Sequence, residues 1–141
     1  MSVNLTPRMR SWIEHLGLHI ALADGRAVPT VIVEDKCFVS GHTIRVPLSR
    51  AQAVQAKGCL HENRNFAAAP GKLGAVRAPY QFKGIGRLER EDLILEVSKI
   101  YCTRPGSESG IRMDILGQEK MRAFEEARWK DIEPPGIQKE P

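Results

Sequence analysis

Short apolar segments separated by polar turns fill residues 18–46, and this pattern constrains the fold more than any other feature. The segments at 18–23, 27–33, 37–39 and 43–46 are of strand length, and the second is rich in β-branched residues. Asp24-Gly25 between the first two is a strong hairpin signal. The pattern predicts a four-stranded antiparallel meander with short connections.

The rest of the chain mixes predicted helices with further strands. Thr6-Pro7 is typical of a helix start, and Gly17 of a helix end. Later helices are predicted at Ser49–Glu62, Asp92–Thr103 and Glu119–Lys130, and strands at Phe66–Ala69, Tyr80–Glu89 and Ile111–Leu116. The fold class is therefore mainly β, a barrel-like sheet whose ends are closed by helices.

Size and composition suit one domain that binds a small ligand. The 141 residues predict a single domain over 1–130 with a mobile tail at 131–141. The net charge of +4 is a mild bias, which suits a phosphate-bearing ligand as well as nucleic acid. Three separated cysteines with no CxxC pair favour a reducing cytoplasm, and no apolar run reaches membrane-spanning length.

The segment from His42 to Lys57 predicts an anion site. A strand leads directly into a helix whose start carries a capping-box pattern, Ser49 and Gln52, with Arg50 in the first turn. Free backbone N–H groups and the positive end of the helix dipole attract anions at such a place. Ser49 and Gln52 are first of all a helix cap, and phosphate binding is an added role.

The sequence predicts no metal site and no catalytic triad. His15 and His19 are four residues apart, but Gly17 interrupts the helix between them and no third ligand follows in pattern. We interpret their spacing as coincidental. Cys37 alternates with apolar residues and is expected to be a core thiol.

The order of elements resembles the FMN-binding split barrel, the family of pyridoxamine 5′-phosphate oxidase, and is closest to its small single-domain members. The resemblance rests on four weak motifs in the right order, and it covers roughly residues 5–116. They are Leu18–Val33 around Asp24-Gly25, Phe38–Glu62 with its strand-to-helix step, Glu62-Asn63 before a short strand, and Tyr80–Gly84. The resemblance implies an antiparallel, Greek-key-like split β-barrel that binds FMN at the interface of a homodimer.

Site residues are carried over from the family by position. Those implied beside the flavin ring are Thr30, Val31, Ile32, Phe82 and Lys83, and those implied at the phosphate are Pro47, Leu48, Ser49, Arg50 and Gln52. Family members often place a basic residue in the first turns of this helix, where the present chain has the uncharged Gln52, Ala53 and Val54.

The resemblance implies a flavin-dependent oxidoreductase or electron carrier with an unknown redox partner or substrate. The flavin carries the chemistry, so no catalytic side chain is assigned. The absent basic residues leave open a different ligand, a deazaflavin or haem, which relatives of this fold accept. A third alternative is a non-enzymatic binding module whose basic loop, Lys72–Lys83, contacts nucleic acid, although the modest charge does not favour it.

Overall fold

The structure is a computed structural model that describes residues 3–71, 79–104, 106–107, 109–130, 132 and 134. Its elements in chain order are α1 (Pro7–Leu16), β1 (Leu18–Ala23), β2 (Pro29–Glu34), β3 (Phe38–Ser40), β4 (Thr43–Pro47), α2 (Arg50–Leu60), β5 (Asn65–Pro70), β6 (Tyr80–Glu89), β7 (Asp92–Cys102), a 3₁₀ turn (Asp114–Leu116) and α3 (Gln118–Arg128). Of the predicted tail at 131–141 the structure describes Ile132 and Pro134, and most of the predicted basic loop lies outside the described residues.

The seven strands form one antiparallel sheet in the order β2-β1-β5-β6-β7-β4-β3, which curls into a half-barrel. This confirms the predicted mainly β class. The predicted meander is wrong at one step, because β2 and β3 follow each other in the chain but lie at opposite edges of the sheet. β6 and β7 form a long hairpin that pairs over its whole length, and β4 pairs with the other edge of β7. This hairpin therefore separates the short hairpin β1–β2 from the short hairpin β3–β4.

The segment predicted as a helix at 92–103 is the strand β7, and that prediction was wrong. Leu93, Leu95 and Val97 face the core at every second position, which is the period of a strand. The predicted strand at 111–116 was also wrong. Only a single bridge joins Tyr101 to Arg112, and the chain then turns through the 3₁₀ helix.

The hairpin signal at Asp24-Gly25 is confirmed, with a five-residue loop between β1 and β2. The Asp24 carboxylate accepts hydrogen bonds from the backbone N–H groups of Arg26 and Val28, at 2.8 and 3.0 Å. These bonds hold the pKa of Asp24 below its ordinary value. The second strand therefore begins at Pro29 and not at Ala27.

The core lies between the inner face of the sheet and the helices. α1 contributes Met9, Trp12 and Ile13, as predicted from their helical spacing, and α2 packs against the sheet through Ala56 and Leu60. The remaining buried positions come mainly from alternate residues of β1, β6 and β7. No helix in the described ranges is long and apolar enough to cross a membrane.

A buried carboxylate fixes α3 to the rest of the domain. Glu125 is 1% exposed and accepts hydrogen bonds from the hydroxyls of Thr6, at 2.9 Å, and Tyr80. Burial raises the pKa of Glu125, and the two hydroxyl donors act against that rise. Trp129 packs edge-on against Tyr80 and is 1% exposed, so this side chain belongs to the core.

Candidate functional site

The two faces of the sheet separate the residues that were predicted to lie beside a flavin ring. Ile32 and Phe82 lie on the inner face, in a row that runs through Ile20 and Ala68. They are 2% and 0% exposed, so their side chains are enclosed in the core. Thr30 is half-buried on the same side, near the start of the edge strand β2. A ligand on the outer surface would meet only the backbone of Ile32 and Phe82.

Val31 and Lys83, by contrast, lie in one row across the outer face. Val31 pairs with Ala21, Ala21 with Ala67, and Ala67 with Lys83. At the usual separation of neighbouring strands, the row spans about 14 Å. The two residues from the middle strands are alanines, so the sheet presents a flat surface of small side chains between a valine and a lysine. We call the side of β2, β1, β5 and β6 that faces away from the core the outer face.

His19 lies in the next row of the outer face, between Val33 and Ala69. Its Nδ1 is 2.8 Å from the carbonyl oxygen of Gly71. Because a carbonyl only accepts, Nδ1 must carry the hydrogen, and in the neutral ring the lone pair is then on Nε2. Within the described residues the side chain makes no other hydrogen bond or ion pair. This arrangement, a ring N–H held by a backbone carbonyl, is how metal-binding histidines are commonly oriented.

Sequence reasoning missed His19, because it considered only the spacing of His19 from His15. The structure separates the two: His15 is exposed on α1 and its Nδ1 lies 3.0 Å from the carbonyl oxygen of Ser11. The signal that could have found His19 was its outward position in a strand of alternating burial, Leu18–Ala23.

The predicted phosphate-binding step at Pro47–Gln52 uses most of its backbone donors internally. Pro47 has no N–H, and the Leu48 N–H donates to the carbonyl of Glu91 at 3.2 Å. The capping box is confirmed: the Ser49 N–H donates to Gln52 Oε1, and the Gln52 N–H donates to Ser49 Oγ, at 3.0 and 3.2 Å. Of these positions, the N–H groups of Arg50 and Ala51 have no partner in the described part of the chain.

The described charges next to this step are mixed, with carboxylates and guanidinium groups in equal number. Arg45 on the neighbouring strand is bound by Asp92, at 2.7 Å, and lies 3.6 Å from Glu89. Together with Arg90 and Glu91 these residues line an open groove. Arg50 is exposed, and its side chain forms no ion pair with another described residue. A phosphate at the helix start would therefore meet the guanidinium of Arg50, and the neighbouring groove adds Arg90 together with the carboxylates that bind Arg45.

The other candidates for chemistry lie in the core or outside the described residues. Cys37, Cys59 and Cys102 are all buried, and burial together with the charge of Glu34 raises the pKa of Cys37 to about 12. Cys37 is thus the core thiol that was predicted. Among the residues that the structure describes, no group of three or more His, Cys, Asp or Glu is placed to hold a metal ion.

Comparison with known proteins shows the fold alone. No family model matches the chain, and no curated protein matches it. Among solved structures it is similar to HupZ of Group A Streptococcus, with 15% identity, a TM-score of 0.61, and coverage of 75% of this chain and 99% of HupZ. A histidine-to-alanine variant of HupZ matches with 13% identity, a TM-score of 0.51, and coverage of 68% and 97%.

Proposed function

We propose that this chain is a haem-binding protein in which His19 would hold the iron. The observation that carries the proposal is the imidazole on the outer face, whose Nδ1 is fixed by the Gly71 carbonyl and whose Nε2 has no partner among the described residues. Imidazole is a common axial ligand of haem iron. Relatives of the split barrel that the sequence resembles accept haem, so the ligand and the fold are compatible.

The surroundings of His19 suit a flat apolar ring. The small side chains of Ala21, Ala67 and Ala69 leave space over the middle strands, and Val31 and Val33 are 48% and 37% exposed. Covering exposed apolar area with a ring is favourable by roughly 25 cal/mol per Å². Bound haem would supply iron-centred redox or ligand-binding chemistry, while the chain orients His19 and excludes water from one side of the ring.

FMN is the second candidate, and a flavin-dependent oxidoreductase or electron carrier is the corresponding activity. The strand-to-helix step favours it, because Arg50 offers both a guanidinium and a backbone N–H without a described partner. Lys83, at the end of the outer row, would lie near the ring. We place FMN second because the cap already uses the N–H groups of Ser49 and Gln52, and because carboxylates lie beside Arg45 in the neighbouring groove. A deazaflavin would use the same outer face.

A homodimer is part of both proposals. β2 is an edge strand of the described sheet, and it exposes Val31 and Val33 next to the alanines of the outer face. An edge of this kind is open to pairing with a second chain. A second copy packed on the outer face would enclose the ligand. Light scattering is expected to give the mass of a dimer, and Val31→Glu should shift it toward the monomer.

Titrations of the purified chain with hemin and, separately, with FMN test the ligand. We expect hemin to give a saturable, shifted Soret band with one haem per chain or per dimer. FMN is expected to show weaker binding by quenching of its fluorescence. Tight FMN binding together with unsaturable hemin absorbance would contradict the haem proposal and favour the flavin alternative.

A further inference from the structure

A groove at the carboxyl end of α2 has no role in the proposals above. It has a volume of about 260 Å³. Its lining comes from the last turns of α2, the segment before β5, and the second half of β6: Lys57, Leu60, His61, Arg64, Gly86, Arg87 and Leu88. We call it the basic groove. It lies at the opposite end of α2 from the Ser49 cap.

The floor of the basic groove is apolar and is kept open by a glycine. Leu60 and Gly86 are buried and Leu88 is half-buried. A Cβ on Gly86 would lie 3.3 Å from Leu60 Cδ2, which is a tight contact, so a side chain here would press on the floor. The Gly86 N–H also donates to the Arg64 carbonyl oxygen at 2.7 Å, and this bond fixes the two walls against each other.

The rim of the basic groove carries three basic side chains, Lys57, His61 and Arg64. All three are exposed, and none of them forms a hydrogen bond or ion pair with another described residue. Arg87 also lines the groove, but its side chain lies on the other face of β6 from Gly86 and Leu88, where it is bound to Glu96 at 2.8 Å and lies 3.3 Å from Glu89.

The helix dipole explains only part of this cluster. A cation in the last turn of a helix, such as Lys57, is favourable by itself. Arg64 lies outside the helix, on the segment before β5, and still lines the same concavity. The convergence of Lys57 and Arg64 over an apolar floor is what a ligand with one anionic end requires, because the charge can meet the rim while the body covers the floor.

We propose that the basic groove binds a small molecule through a single oxyanion group, a phosphate or a carboxylate. The carboxylates of Glu89 and Glu96 beside Arg87 would repel an extended polyanion, which disfavours nucleic acid as the occupant. The concave shape and the modest volume also suit a small group. The guanidinium of Arg64 and the ammonium of Lys57 supply the main attraction.

Amide-resolved NMR titrations of the full chain test this site, with inorganic phosphate in one series and acetate in another at low ionic strength. We expect the amide signals of His61, Arg64 and Gly86 to shift together and to saturate with at least one of the two anions. Arg64→Ala and Lys57→Ala should each weaken that binding at least threefold. Both side chains are exposed, and the Arg64 carbonyl that holds Gly86 is kept in the variant.

Lys36→Ala is the matched control, because Lys36 is an exposed basic residue in the turn between β2 and β3. It removes the same charge far from the groove and should leave the titration unchanged. The proposal is overturned if neither anion gives saturating shifts at the groove. It is equally overturned if the shifts centre on residues 49–51, or if Lys36→Ala weakens binding as much as Arg64→Ala.

Discussion

The outer face around His19 and the amino end of α2 both present polar groups to a ligand, but they differ in what those groups are already bonded to. At α2 the hydroxyl of Ser49 and the amide of Gln52 satisfy each other's backbone N–H groups. At His19 one hydrogen bond fixes the ring and leaves the other nitrogen without a described partner. The first arrangement stabilises a helix, and the second is the orientation that we propose for binding haem iron.

This comparison explains why a capping box is a poor indicator of an anion site. The cap and an anion compete for the same few N–H groups in the first turn of the helix. Ser49 and Gln52 fill two of these positions themselves, and the N–H groups of Arg50 and Ala51 remain without a partner among the described residues. An outward histidine in a strand has no such local partner, so its role is decided by the tertiary structure.

The largest effect is expected from His19→Ala. Losing an outer-shell partner of a metal ligand costs roughly 10- to 100-fold in affinity, so losing the ligand itself should weaken hemin binding by at least about 100-fold. The measurement is a hemin titration followed at the Soret band. His15→Ala, which changes an exposed histidine on α1, is the control and should bind as the wild type does.

A smaller effect is expected from Ala67→Leu. The added side chain would stand up from the middle of the outer row, between Ala21 and Lys83, and would hold a ring away from the sheet. A misfit of about 1.4 kcal/mol corresponds to a tenfold loss of hemin affinity. The same substitution at Ala51, an exposed position of α2, should have no effect. Equal losses in both variants would show that the outer face is not the binding surface.

At the other region, Ser49→Ala is expected to change stability and not hemin binding. Removing the cap leaves the Gln52 N–H without its acceptor and lowers the free energy of unfolding by about 1 kcal/mol. Urea denaturation measures this loss, and Ser40→Ala, at an exposed position, should lose much less. If Ser49→Ala were as stable as the wild type, the cap would not be the main role of this residue.

The smallest effect is expected from Arg50→Ala. It should change hemin affinity less than twofold, because Arg50 begins α2 and is not part of the four strands that form the outer face. The same variant also probes the flavin alternative. If FMN binds at this step, Arg50→Ala should weaken FMN more than riboflavin, since only FMN carries the phosphate. Equal losses for FMN and riboflavin would remove Arg50 from the phosphate site.

Local patterns predicted the local elements well. The Thr6 and Ser49 caps, the hairpin at Asp24 and the strand Tyr80–Glu89 depend on residues close in sequence, and the structure confirms each of them. β7 was predicted wrongly because Leu93, Ile94 and Leu95 form a continuous apolar run, which periodicity alone does not assign to a helix or a strand.

Long-range features could not be predicted in the same way. The separation of β2 from β3 depends on which strands pair, and pairing is decided by burial across the whole sheet. The orientation of the His19 ring depends on the carbonyl of Gly71, which is 52 residues away in the sequence. The basic groove likewise joins Lys57 to Arg87, two residues that only the contact between α2 and β6 brings together.

The most direct test of the central claim is chemical rescue of His19→Gly by imidazole. The variant removes the ring and leaves a gap on the outer face, which free imidazole can enter. If His19 holds the iron, hemin gives the wild-type Soret position with this variant only when imidazole is added, while a His15→Gly control needs none. Wild-type hemin binding and spectrum in His19→Gly without imidazole would contradict it.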